Sequence, residues 1–271
     1  MNRTRSGEEK TGCGCFSFLV APAAATVLLL ALCHGCVQED RVECPAYLTL
    51  SLEDAPPGVD SVRLWVENLA DEGCAQPMHL PVSAFPYTLA VNKGNLQLWC
   101  SSGDERIEMG EQCPRLYLFG CGLNLEESSG DARIAMKKSW CRLTVTFLRT
   151  GEEFNCCLRG GIGGYVRTAP DYAFPQGGGW KPAAGAFLYE TSGFVFNVDI
   201  PRQTDSSLIL DVLGDGSLER CFALGEYIAA SGYDWSSPAL EDLTIAIDLA
   251  LHTLSVRTES FSCSYAYLLE I

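Results

Sequence analysis

The side chains able to do chemistry are few and poorly spaced for it. Of the chain's three histidines, His34 lies in the apolar leader, and His79 and His252 fall in separate expected domains. A nucleophile–His–acid relay or a histidine metal site therefore lacks parts. Carboxylates abound, but Glu152-Glu153 and Glu241-Asp242 read as solvated loop charges rather than an acid/base pair. Gly160-Gly161-Ile162-Gly163-Gly164 is not followed by Lys-Ser/Thr and opens no helix. It reads as a mobile loop, not a phosphate cradle. The fragment Asp211 to Gly216 lacks the alternating acidic ligands and late glutamate of a calcium loop, so it reads as a hairpin tip. No enzyme, cofactor or metal is expected.

Cysteine is the reactive residue the chain does supply, with 14 in all. Cys36 is the most telling. It closes an apolar run that begins at Phe16, it follows Gly35, and Glu39-Asp40 come just after it. That pattern reads as a lipoprotein signal, with residues 1–35 removed and Cys36 becoming the acylated N-terminus. Arg3, Arg5 and Lys10 give the leader its weak positive start, and Pro22 interrupts the run, which suits a signal better than a membrane-spanning helix. Cys33 and Cys36 form a CxxC pair, but no second pair follows at zinc spacing and no βαβ pattern surrounds it. The alternative is a plain signal or an uncleaved anchor. One acylated cysteine carrying several chains is enough for stable membrane attachment.

Ten further cysteines follow Cys36: Cys44, Cys74, Cys100, Cys113, Cys121, Cys141, Cys156, Cys157, Cys221 and Cys263. An exported chain can oxidise them, and an even number permits full pairing. Cys100, Cys141 and Cys263 nevertheless fall in phase with apolar strand positions, as small core residues would. Cys156 and Cys157 would point to opposite faces of a strand. A mixture of disulfides and core thiols is expected, with no pairing assigned.

The leader takes three of the 19 Lys+Arg and two of the 34 Asp+Glu. The mature chain therefore carries 16 basic against 32 acidic residues. Such a surface repels phosphate backbones and argues against nucleic acid as a partner. The residues after the leader are enough for two domains with real cores.

The elements that must carry these residues are strands. Leu48/Leu50/Leu52, Val62/Leu64/Val66 and Leu96/Leu98/Cys100 keep a two-residue beat. So do Ile134/Met136, Cys141/Leu143/Val145/Phe147, Phe194/Phe196/Val198/Ile200, Leu208/Leu210/Val212, Leu243/Ile245/Ile247 and Leu254/Val256. Such alternation puts one face on a core and the other in water, as in antiparallel sandwiches. One helical turn is expected, at Glu226 to Ala230. Pro56-Pro57-Gly58 separates the first two strands, and Asn92-Lys93-Gly94-Asn95 reads as a hairpin loop. The polar stretch Glu126 to Asp131 marks the domain division. The expected organisation is a signal peptide (1–35), a lipidated segment (36–45), an N-terminal sandwich (46–128) and a C-terminal sandwich (129–271).

Several of these pieces, in this order, resemble the FimB/Mfa-type fimbrillin anchor family of Bacteroidales. The resemblance begins with Cys36-x-x-Glu39-Asp40-x-x-x-Cys44-Pro45 and the strand after it. It continues through Asp60 to Val66, the Lys93-Gly94 turn, and Arg133 to Lys138 with Cys141 to Val145. The most specific block is Pro201-Arg202-Gln203, then Phe222 to Ile228, Gly232-Tyr233-Asp234-Trp235, and Leu240 to Leu243 with a strand ending at Ile247-Asp248. The resemblance implies two tandem transthyretin-like antiparallel β-sandwich domains without enzymatic activity. It further implies an outer-membrane, surface-exposed lipoprotein at the base of a pilus, or a minor pilus subunit. Such a protein would bind a fimbrial stalk or accessory subunit by β-strand addition, in which an open sheet edge takes an extended strand.

The tail, Phe261 to Ile271, alternates almost throughout and extends past the matching region. It reads either as the closing strand of the second sandwich or as a strand donated to a neighbour. The alternative function is a surface glycan-binding or adhesin lipoprotein. It would use the aromatic, glycine-rich stretch of Tyr172, Phe174 and Gly177-Gly178-Gly179-Trp180 to stack a sugar ring.

Overall fold

A computed structural model describes residues 44–68, 76–151, 153–168, 179–214 and 217–266. Cys36, Cys74, Tyr172 and Phe174 lie outside the described residues, as does the end of the tail. The chain from Pro45 onward forms one compact unit. It is all-β, as the alternation requires, with one short helix.

The first strand sets the pattern. In β1 (Ala46–Leu52), Ala46, Leu48 and Leu50 are fully buried while Tyr47 faces solvent. Each buried leucine contributes about 1.5–3 kcal/mol relative to exposure. Strand β1 is central in a three-stranded sheet, between β4 (Tyr87–Val91), antiparallel, and β7 (Ser129–Ile134), parallel. Facing it is a five-stranded sheet in the order β3-β2-β5-β6-β8. Its members are β2 (Ser61–Asn68), β3 (Met78–Pro81), β5 (Gly94–Ser101), β6 (Tyr117–Leu125) and β8 (Lys137–Lys138). Leu48, Leu50, Val62, Leu64, Leu98 and Ile134 fill the space between the two sheets.

The second half repeats that plan. Strand β9 (Trp140–Leu148) is flanked by β12 (Val195–Pro201), antiparallel, and β15 (Leu243–Asp248), parallel. The opposing sheet runs β11-β10-β13-β14, from β10 (Phe154–Thr168), β11 (Gly179–Gly193), β13 (Ile209–Gly214) and β14 (Ser217–Phe222). Strands β1 to β7 thus correspond one for one, in order and in pairing, to β9 to β15. The chain is a tandem repeat of one seven-stranded sandwich, although the sequence shows no obvious internal repeat. Each sandwich contains one parallel pair, β1–β7 and β9–β15, where antiparallel pairing alone is expected from the alternation.

Additions distinguish the two copies. Helix α1 (Leu224–Ala230) lies between β14 and β15, two residues longer at its start than the sequence suggests. It buries Leu224, Gly225 and Ile228 and is followed, after Ser231, by Gly232, whose φ of 80° favours a residue without a side chain. A Cβ on Gly225 would lie 2.3 Å from the Ser206 carbonyl oxygen, so glycine lets the helix seat against that backbone. Strands β16 (Thr253–Arg257) and β17 (Ser262–Ala266) extend the β9 sheet beyond β15. Residues 262–266 therefore pair within their own sandwich, as a closing strand does.

Three local expectations are corrected. Asn92 to Asn95 is not a hairpin, because β4 pairs with β1 while β5 pairs with β2 and β6; the turn crosses between sheets. The glycine run 160–164 is not a loop but the middle of β10, where the β10–β11 register shifts. The expected division at 128/129 falls just before β7, which hydrogen-bonds alongside β1 and places Ile134 in the first core.

Candidate functional site

The long strands β10 and β11 dominate the surface between the sandwiches. Their inner half, Phe154 to Arg159 with Leu188 to Gly193, belongs to the second sandwich. Their outer half continues as a two-stranded ribbon over the outer face of β2, β5 and β6. Glycine makes the crossing possible. A Cβ on Gly120 would lie 2.5 Å from Gly179 Cα, and a Cβ on Gly163 would lie 2.8 Å from Gly185 Cα across the ribbon. Gly164, with φ of 150°, admits the Glu105 carbonyl, which accepts a hydrogen bond from the Tyr165 amide at 2.8 Å.

Aromatic rings lock the ribbon down. Trp180 Nε1 donates to the Phe119 carbonyl at 2.9 Å, and Trp99 Nε1 donates to the Gly179 carbonyl at 3.2 Å. The Trp65 and Trp180 rings meet edge to face, with centroids 5.8 Å apart. The Arg167 guanidinium lies over both Trp65 and Trp99 and pairs with Glu67 at 2.8 Å. Trp180, the residue the sequence offers for stacking a sugar, is thus committed to holding the two sandwiches together.

A second seam lies at the β8–β9 junction. The Arg202 guanidinium donates to the carbonyls of Lys138, Ser237 and Trp235, and its backbone amide donates to Ser139. Burial pulls this guanidinium below the usual arginine range. The buried Tyr165 hydroxyl donates to the Ser139 carbonyl, and burial raises its pKa. Lys138 Nζ reaches the Leu240 carbonyl at 3.0 Å and Asp242 at 2.8 Å. The Pro201-Arg202-Gln203 block singled out from sequence is therefore structural glue.

Open strand edges are a further outward-facing feature. Among the described residues the terminal strands of the four sheets are β4 and β7, β3 and β8, β11 and β14, and β12 and β17. Most are guarded in the ways that discourage further pairing. Asp131 and Arg133 stand in β7, two lysines form β8, Glu219 and Arg220 stand in β14, and Lys181, Pro182 and Glu190 stand in β11. Strand β3 is four residues long and ends at Pro81, and β12 carries Asp199 and ends at Pro201. Only β4, Tyr-Thr-Leu-Ala-Val, and β17, Ser-Cys-Ser-Tyr-Ala, carry neither charge nor proline.

Beside β4 the two sheets of the first sandwich part into a groove of about 370 Å³. Its walls are Leu89 and Val91 of β4 with Val66, Met78 and Leu96 of the facing sheet, and Asn68 and Asn92 stand at its mouth. Leu89, Val91, Val66 and Met78 are half-buried where core residues would be fully covered, while Leu96 belongs to the buried core. The arrangement pairs an uncharged backbone edge with apolar space at alternate positions. It is what an incoming strand needs.

The chemistry-bearing residues are scattered. His79 lies in β3, and His252 occupies a turn at φ of 51°. No group of three His, Cys, Asp or Glu among the described residues is placed to hold a metal ion. The nine described cysteines are free thiols. Cys100 and Cys141 are fully buried, and burial pushes both thiols up to about 12. Cys156 faces the core while Cys157 lies half-exposed on the other face. Buried carboxylates serve structure: Asp199 joins Arg115 at 2.7 Å and Arg142 at 3.1 Å.

No family model and no curated protein matches the sequence. Solved structures do match its fold. The fimbrial anchor protein Mfa2 from Porphyromonas gingivalis superposes with a TM-score of 0.58 at 11% identity, over 83% of this chain and 100% of that one. A candidate adhesin from Bacteroides ovatus gives 0.55 at 10% identity, over 84% and 97%. A candidate polysaccharide-binding protein from Bacteroides thetaiotaomicron gives 0.54 at 11% identity, over 82% and 98%. The architecture is the one that the sequence resemblance to the FimB/Mfa-type family implies.

Proposed function

We propose that this chain is a lipid-anchored fimbrial subunit, a base anchor or minor component, that captures its neighbour by strand addition along β4. The observation that carries this reading is the unguarded β4 edge lying against the apolar groove of Leu89, Val91, Val66 and Met78. Resemblance in sequence and likeness in fold to a fimbrial anchor support it. The lipid on Cys36 holds the outer membrane end, and the fimbrial stalk or accessory subunit supplies the strand. The role is mechanical, without catalysis or cofactor. Copurification tests it: a fimbrial subunit should accompany the wild-type chain after mild solubilisation and be lost from Thr88→Lys/Ala90→Lys. Retention of the subunit by that variant would contradict the assignment of the edge.

The second reading, a surface glycan-binding adhesin, is favoured by the fold shared with the candidate polysaccharide-binding protein. A sugar stacked on Trp180 would compete with the ring's contacts to Trp65 and Phe119. Glycan capture without any fimbrial partner would favour it over the anchor.

A further inference from the structure

A cleft of about 480 Å³ opens where the ribbon crosses the β8–β9 junction, within the size range of small-molecule sites. Its charge is opposite to that of the molecule. The chain carries a formal net charge of −15, yet among the described residues the charged side chains lining the cleft are Lys137, Lys181 and Arg202, with no carboxylate. Arg202 is pinned by three carbonyls. Lys137 and Lys181 are exposed and make no ion pair among the described residues. Asp234, which neighbours this region through Ser236, is turned onto the Ser236 hydroxyl at 2.6 Å and amide at 2.8 Å. Two cations without an ion-pair partner among the described residues, beside a third in a low-dielectric wall, favour an anion.

The uncharged lining narrows the class of anion. Four hydroxyls border the cleft, and each spends its proton on the protein; the buried Tyr165 donates to the Ser139 carbonyl. Thr168 donates to the Gly179 carbonyl at 2.9 Å, Ser139 to the Lys137 carbonyl at 3.4 Å, and Ser236 to Asp234. A hydroxyl that donates inward keeps its lone pairs for accepting. Leu118, Phe119, Trp180 and Pro182 supply the apolar part of the wall. The cleft therefore offers cations, hydrogen-bond acceptors and an apolar surface together. A carboxylate-bearing sugar presents the matching set: an acid, several hydroxyl donors and an apolar ring face. An acidic peptide side chain brings the carboxylate without the hydroxyl donors.

We infer that this cleft between the sandwiches binds an acidic saccharide unit, with Lys137 and Lys181 holding the carboxylate and the Thr168, Ser139 and Ser236 oxygens accepting from its hydroxyls. The cleft shares no lining residue with the groove beside β4, and the inference does not rest on the anchor reading.

Calorimetric titration of the purified full chain tests it, with trigalacturonate as the probe and its fully methyl-esterified form as the uncharged control. Saturable binding of trigalacturonate is expected, weakened about tenfold or more by the ester and by Lys137→Gln/Lys181→Gln. Both lysines are solvent-exposed, so an unchanged melting temperature would show that the variant still folds. Equal binding of the acid and the ester, undiminished binding by the double variant, or no binding of trigalacturonate would each overturn the inference. Equal binding of an oligoglutamate peptide would overturn its assignment to saccharide.

Discussion

At the scale of single residues, cysteines fall into three environments with different fates. Cys36 is read as the acylation site, so Cys36→Ala should move the protein from the membrane fraction to the soluble one with an unchanged melting temperature. A membrane-bound variant would contradict lipidation there. Cys44 and Cys221 are exposed, whereas Cys100 and Cys141 are fully buried. A maleimide pulse at neutral pH on the folded chain should modify the exposed pair and spare the buried pair. The sign of the alkaline effect follows from burial. Cys100 and Cys141 hold their protons up to about 12 in the folded chain, against an ordinary thiol value of 9.0. Between pH 9 and 12 the unfolded chain binds fewer protons than the folded one, so stability is complete below about pH 9 and declines as pH rises toward 12. Thermal melts from pH 7 to 11 should show the melting temperature falling from about pH 9. Cys100→Ala/Cys141→Ala should flatten that decline.

The roles of individual side chains were the least legible part of the sequence. Cys100 and Cys141 fall in phase with leucines and valines, and burial follows from that beat. Arg202 and Trp180 gave no comparable sign. Both come from distant segments, and only the meeting of ribbon, β6 and the 235–240 loop defines what they touch. The nine described free thiols likewise show that an even cysteine count permits pairing without requiring it.

At the scale of elements, two-residue alternation predicted strands well because each strand has one face on a core. It could not say which strands share a sheet. Asn92 to Asn95 has hairpin composition, yet β4 and β5 join different sheets, a matter settled by their other partners. The glycines of 160–164 suggest a loop by composition. In the fold they let two backbones pass at distances that any side chain would block. The ribbon is the element most open to test. Trp180→Ala removes the ring contact with Trp65 and the bond to Phe119, and should cost about 2–3 kcal/mol by chemical denaturation. Arg167→Ala, losing a partly exposed ion pair and cation–π contacts, should cost about 1 kcal/mol. No loss for either would show that the ribbon does not bind the sandwiches together.

The terminal strand is a test at the same scale. Strand β17 pairs with β16 over five residues, and the Tyr265 ring lies 5.7 Å from that of Tyr227. Deleting residues 261–271 should therefore lower the melting temperature by exposing β16 and the Tyr227 face. A deletion that melts as the full chain does, but no longer assembles, would instead mark the tail as a donated strand.

At the scale of the whole molecule, two copies of one seven-stranded plan are joined by a glycine-bearing ribbon and a carbonyl-capped arginine. The second copy closes its β15 edge with β16 and β17, and charge protects the corresponding β7 edge of the first. Strand β4 has neither defence, and it flanks the groove between the first pair of sheets. Capture of a neighbouring subunit is therefore proposed at this edge. The direct measurement places a photo-crosslinking amino acid at Ala90 and identifies the adducts formed on intact cells. A dominant adduct with the extended segment of another fimbrial subunit, abolished by Thr88→Lys, is expected. No adduct on cells that assemble fimbriae, or one unaffected by Thr88→Lys, would contradict it.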